Sequence, residues 1–133
     1  MNAVARPELS LQAFEARTID PGTFDHEAHV HIAWLYLRQY PLAEAIGRFT
    51  DTLQRLTVEI GAKNKYHETI SWFFLLLIAE RRAKTDSDSW LVFRRDNHDL
   101  FSSDDNVLSR YYSDELLWSD HARRSFFLPD RLV

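Results

Sequence analysis

From Trp72 to Ala79 the chain reads Trp-Phe-Phe-Leu-Leu-Leu-Ile-Ala, with no polar side chain in the run. A helix that is apolar on every face has no side to offer to water, so other elements must wrap it. The run is far shorter than the roughly 20 apolar residues a membrane span requires, and Glu80-Arg81-Arg82 follows at once. It is therefore read as the core helix of a globular domain, running from about Tyr66 to Ala83. The rest of the chain has to supply the wrapping.

The flanking sequence reads as further helices. Asp20-Pro21-Gly22 is turn chemistry, after which Thr23 or Asp25 can cap a helix reaching Gln39. At about 100° per residue, His26, His29, Val30, Ala33 and Leu37 fall on one side, while Glu27, His31 and Arg38 form a wet face. Pro41 suits the first turn of a second helix over residues 42–60. Its Ile46, Phe49, Leu53, Leu56 and Ile60 make a packing seam, and Gly61 stops it. Beyond the core helix, the Thr85–Ser89 cluster caps a short helix with Trp90, Leu91 and Phe93, closed by Asn97-His98-Asp99. Asp104 or Asp105 caps another short helix ending at Tyr112; the Ser102–Asp105 run lacks the spacing and glycine of a calcium loop. Ser113 caps a last helix from about Asp114 to Phe126, and Pro129 ends regular structure. Residues 1–22 read as an arm with a helical turn or two near Ser10–Arg17. No segment alternates with the period of two that a strand requires. The expectation is an all-α fold: a compact single-domain helical bundle of about four main helices with short connecting helices, over residues 23–133.

Composition narrows the function classes. With 133 residues the chain suits one domain with a real core. A net charge of −4 and only short arginine pairs leave no basic stripe for a phosphate backbone, which argues against nucleic acid. There are no cysteines, so disulfides, thiolate metal sites and cysteine nucleophiles are excluded, and an intracellular, cytoplasmic setting is expected. Met1–Pro7 lacks the apolar stretch of a signal peptide, and no membrane association is expected. There is no Gly-rich nucleotide-binding signature, no Gly-x-Ser-x-Gly and no Glu-x-x-His.

Three groupings can carry chemistry. His26 and His29 are three apart, which places both imidazoles on one helical face with Cβ atoms roughly 5–6 Å apart. Such a pair can share one divalent transition metal with His67 or a carboxylate such as Asp120. Alternatively the two are partly buried histidines bonded to carbonyls or carboxylates. Next, His67 and Glu68 stand where the chain enters the core helix. His67 is a candidate ligand or general base, and Glu68 either its partner or an acidic residue favouring the helix dipole. Third, Leu116, Ser119, Asp120, Arg123 and Phe127 share one stripe of the last predicted helix. Asp120 and Arg123 read there as a half-buried ion pair, or Arg123 as a fork for a substrate carboxylate. Tyr111 and Tyr112 can line the same cavity or belong to the core.

The pattern Phe24-x-His26-x-x-His29-Val30-x-x-Ala33-Trp34-Leu35-Tyr36-Leu37, followed by Tyr66-His67-Glu68-Thr69-Ile70-Ser71-Trp72, resembles an uncharacterised bacterial family of all-helical proteins. Trp90-x-x-Phe93, Asn97-x-Asp99-Leu100, Arg110-Tyr111-Tyr112, Ser119-Asp120-x-Ala122-Arg123 and Leu128-Pro129-Asp130 fit it as well. The resemblance spans about residues 20–130. It implies one compact module and brings no assigned activity.

Two functional expectations follow. The first is a His-lined polar pocket supporting metal-assisted or acid–base chemistry on a small molecule. His67, Glu68 and Arg123 would be its catalytic groups, and His26, His29, His67 and Asp120 would hold zinc, iron(II), nickel or manganese. The second is a non-catalytic helical module that binds a ligand or a protein, a homodimer included.

Overall fold

The computed structural model describes residues 9–102 and 106–131. The predicted caps Asp104 and Asp105 lie outside the described residues, as does the Met1–Pro7 segment. Among the described residues the fold is all-α, with no strand. The long helices are α2 (His26–Gln39), α3 (Leu42–Glu59) and α4 (Glu68–Ala83). Shorter ones are α1 (Leu11–Glu15), α5 (Trp90–Asp96), α6 (Val107–Tyr111), α7 (Asp114–Leu117) and α8 (Asp120–Arg124). Single 3-10 turns lie at Pro21–Thr23, Lys63–Lys65 and His98–Leu100.

The apolar run behaves as its composition demands. No residue from Thr69 to Ala79 is exposed, and Leu75 and Ile78 have lost all contact with solvent. Helices α2, α3 and α8 pack on α4, and Phe73 meets the rings of Tyr111 and Tyr112 at 5.0 and 5.6 Å. Helix starts follow short polar side chains that accept an orphan amide: Asp25 from Ala28, Ser89 from Val92, Ser113 from Leu116. Gly61, at φ 73°, ends α3 in the left-handed conformation that favours glycine.

Four details differ from the sequence reading. Residues 9–22, expected within an arm, are docked on the core. Leu9, Phe14 and Ile19 are buried in the common core, and Phe14 packs on Phe24, Tyr36 and Phe49 with centroids 5.5–6.0 Å away. The Tyr36 hydroxyl also donates to Glu15 at 2.7 Å. Apolar residues five apart show no helical period, so this docking left no pattern to read.

His31 is buried rather than wet. Helix α5 folds back over that face, laying Trp90 parallel to the imidazole at 4.1 Å while Arg94 pairs with Glu27. Ile60, expected in the α3 seam, is 47% exposed because the helix is already ending. The last predicted helix is two short ones. Ser119 closes α7 by donating to the Leu116 carbonyl at 2.7 Å, and the same oxygen caps α8 by accepting from Ala122 at 3.1 Å. The stripe that joined Leu116 to Phe127 therefore does not exist.

Candidate functional site

A cavity of about 600 Å³ opens where the end of α3, the start of α4, the approach to α2 and the α7–α8 segment converge. That volume lies within the range of roughly 300–1,000 Å³ usual for small-molecule sites. Exposure varies along its wall and so gives it a direction. Leu53, Leu56, His67 and Ser71 are buried at the inner end, whereas Ile60, Asn64, Lys65 and Trp118 reach solvent at the lip. Between them stand Phe24, His29, Ile70 and Arg123, all partly buried. Behind His29, Ile70 and Ser71 lies a second space of about 70 Å³, closed by His26, Val30, Ala33, Phe49 and Phe74.

The predicted functional residues divide by what their polar atoms already do. His67 is the N-cap of α4. Its Nδ1 accepts the Ile70 amide at 3.1 Å, so that nitrogen carries no proton, and its Nε2–H donates to the Leu117 carbonyl at 2.6 Å. Both ring nitrogens are spent and the tautomer is fixed. Burial holds the His67 pKa down; the Leu117 carbonyl opposes this and the Arg123 charge adds to it. Serine, threonine, aspartate and asparagine are the side chains expected at such a position, so a histidine cap is easily read as chemistry.

Glu68 accepts the Tyr66 hydroxyl and does not line the cavity. Burial, then that carboxylate, pushes the Tyr66 phenol well above its ordinary pKa. His26 is exposed; its Nε2–H donates to the Leu100 carbonyl at 2.7 Å and its ring stands edge-on to Phe74 at 5.2 Å. It ties the start of α2 to the turn at His98–Leu100 and borders the inner space rather than the main cavity.

Asp120 and Arg123 form no ion pair. Asp120 is exposed on a second, open depression that Lys63, Arg124 and Arg123 also border, while Arg123 reaches the main cavity too, donates to the Asn64 carbonyl at 3.2 Å and lies 5.8 Å from the Trp118 ring centre. Asp120 and Arg123 both belong to α8, so the break at Ser119 leaves their spacing intact; Arg123 turns instead to the Asn64 carbonyl and the Trp118 ring. Tyr111 packs on Phe73, and the buried Tyr112 donates to the Phe127 carbonyl at 2.7 Å, so neither lines the cavity. Burial, with the Asp130 charge adding to it, leaves the Tyr112 phenol pushed up to about 12.

His29 is different. Its ring stacks on Phe24 at 4.2 Å and faces both spaces, and no protein group among the described residues hydrogen-bonds either nitrogen. Burial lowers its pKa to about 4; neighbouring His26 acts in the same direction, and Asp25 opposes both. At neutral pH it is an uncharged imidazole offering one donor and one acceptor. Among the described residues no group of three or more His, Asp or Glu side chains stands close enough to hold a metal ion. Of the four expected ligands only His29 and His67 border the main cavity, and His67 has no nitrogen left to give.

Sequence reasoning missed Lys65, Phe24 and Ile60 as site residues. Phe24 was the reachable one, since it sits five residues before His29 on the approach to the same helix. Lys65 and Ile60 belong to the site only because α3 ends there, a matter of chain path rather than periodicity. No known protein family matches the chain, and no curated protein or solved structure is significantly similar to it. No helix among the described residues is long and apolar enough to cross a membrane.

Proposed function

We propose that this protein is a non-catalytic helical domain that binds a small molecule in the cavity between α2, α3, α4 and the C-terminal segment. One observation carries the reading. A cavity of about 600 Å³ with a largely apolar inner wall is lined by an imidazole, His29, whose hydrogen-bonding capacity is left unused among the described residues. Of the groups first suspected of catalysis, His67 is spent as a helix cap and Glu68 lies off the cavity, which leaves Arg123 on its wall as a binding group.

A binding role suits His29 better than catalysis. A general base works best with a pKa near the operating pH, and a nitrogen with a pKa of about 4 is a feeble proton acceptor at pH 7. As a neutral hydrogen-bonding group inside an apolar wall it can orient a ligand instead. A cysteine-free chain suits a reducing compartment, and cytoplasmic residence is part of the proposal.

The test is a fragment screen read by amide chemical shifts on the full chain, repeated on Thr57→Trp. Thr57 is half-buried and borders the cavity, so an indole there fills the space from a position that tolerates bulk. Hits should move amides near Leu53, Ile70 and His29, and the tryptophan variant should lose them while melting no lower. Hits mapping elsewhere, or surviving the substitution, would overturn the proposal.

A further inference from the structure

Resting on that reading of the cavity, we propose that its ligand is a carboxylate with a compact apolar body, held head-outward by Arg123 and Lys65. The charge distribution is the first reason. The chain carries 20 Asp and Glu against 16 Lys and Arg, yet no acidic residue lines this cavity, while a lysine and an arginine do.

The second reason is pairing. Arg48, Arg81, Arg82 and Arg94 all have carboxylate partners, but Arg123 has none among the described residues. It bonds one carbonyl through Nη1 and leaves the rest of its fork uncommitted. An arginine held against an indole with donors to spare is suited to a planar carboxylate, since the fork offers two parallel N–H groups.

The direction follows from burial. Leu53, Leu56 and Ile70 make the inner and middle wall apolar, whereas Lys65 stands at the exposed lip and Arg123 is half-exposed. A ligand must therefore enter apolar end first, with its charge stopping near the surface, where desolvation costs least. The alkyl or aryl body reaches toward His29, which is neutral and so adds no second positive charge inside.

A carboxylate fits better than a phosphate. Phosphate recognition draws on clustered backbone amides at an open helix N-terminus, and the one at this cavity is closed by the His67 imidazole.

The experiment measures binding of octanoate, 4-phenylbutanoate, 1-octanol, 4-phenyl-1-butanol and octyl phosphate to the full chain by calorimetry and amide shifts. The acids should bind about tenfold more tightly than their alcohols, as expected for a charge-assisted contact. Arg123→Gln should erase most of that difference. Lys65→Gln, at an exposed position making no contact needed for folding, should narrow it by about two- to threefold. Circular dichroism checks each variant.

Acids and alcohols binding equally in the cavity would overturn this inference and leave the binding-site reading standing. Tighter binding of octyl phosphate than of octanoate would do the same. No binding by any of the five would overturn both.

Discussion

His29 makes folding pH-sensitive between about pH 6.5 and pH 4. In the folded protein its pKa is lowered to about 4, against 6.5 for a free imidazole. The folded state resists the proton that the unfolded chain accepts. Stability is therefore at its full value above about pH 6.5 and falls as the pH drops toward 4. At pH 5 the unfolded imidazole is protonated and the folded one is not. The loss at about 1.36 kcal/mol per pH interval is then roughly 2 kcal/mol. That figure is a ceiling, because the half-buried ring still meets water in the cavity, and about 1–2 kcal/mol is the expected range. The assay is urea unfolding at pH 7.5 and pH 5, with wild type compared with His29→Gln, which keeps a polar side chain but cannot titrate. For an m-value of about 1.5 kcal/mol per molar urea, the wild-type midpoint should fall by about 1 M more than that of the variant. His67 also has a lowered pKa, but it is present in both proteins and cancels in the comparison. Asp99 and Asp130 are held below the usual carboxylate range by Arg81 and by Ser113 respectively, so their losses begin only at lower pH. Equal midpoint shifts in wild type and variant would refute the argument that His29 is held neutral.

Two further outcomes concern parts of the fold that the sequence concealed. Phe14→Ala should cost about 3–5 kcal/mol, because the ring is buried among three other aromatic rings; thermal melts that barely move would mean that the N-terminal segment docks only loosely. His67→Ala should cost about 1–2 kcal/mol in urea unfolding through loss of the α4 cap, and His67→Asn should recover part of it, since a short amide oxygen also accepts from the first turn. An asparagine variant no better than alanine would remove the capping explanation.

What could be read from the sequence follows from how local the signal was. The apolar run at Trp72–Ala79 required only the observation that no face was polar, and α4 is wrapped as that demands. Asp25, Ser89, Ser113 and Gly61 act within one helical turn, and each does what its chemistry implied. The failures needed a second element to be in place. His31 looked wet on its own helix and is dry because Trp90 arrives from α5. Asp120 and Arg123 looked paired because they stand three apart on one helix, but Arg123 is drawn to the Asn64 carbonyl and the Trp118 ring, partners that a helical wheel does not show. For the site, the His26–His29 spacing did put both rings at one end of α2, but spacing says nothing of hydrogen-bond partners. Those partners separate His26 and His67, both committed, from His29.

The same bookkeeping explains how the cavity keeps its shape. The C-terminal segment meets the first turn of α4 through two polar side chains. His67 donates to the Leu117 carbonyl at 2.6 Å, and the fully buried Thr69 both donates to the Ser125 carbonyl at 2.8 Å and accepts the Phe127 amide at 3.1 Å. Trp118 and Arg123, the two C-terminal residues on the cavity wall, lie in sequence between those attachment points. Breaking one of these bonds strands a buried donor or acceptor at a cost of about 1–3 kcal/mol, so the segment is pinned on both sides of the site. A pinned wall gives little of its binding free energy away to ordering when a ligand arrives. His67, which resembled a catalyst, is thus one of the two groups that hold the wall in place, and the groups left for a ligand are the neutral imidazole within and the two cations at the lip.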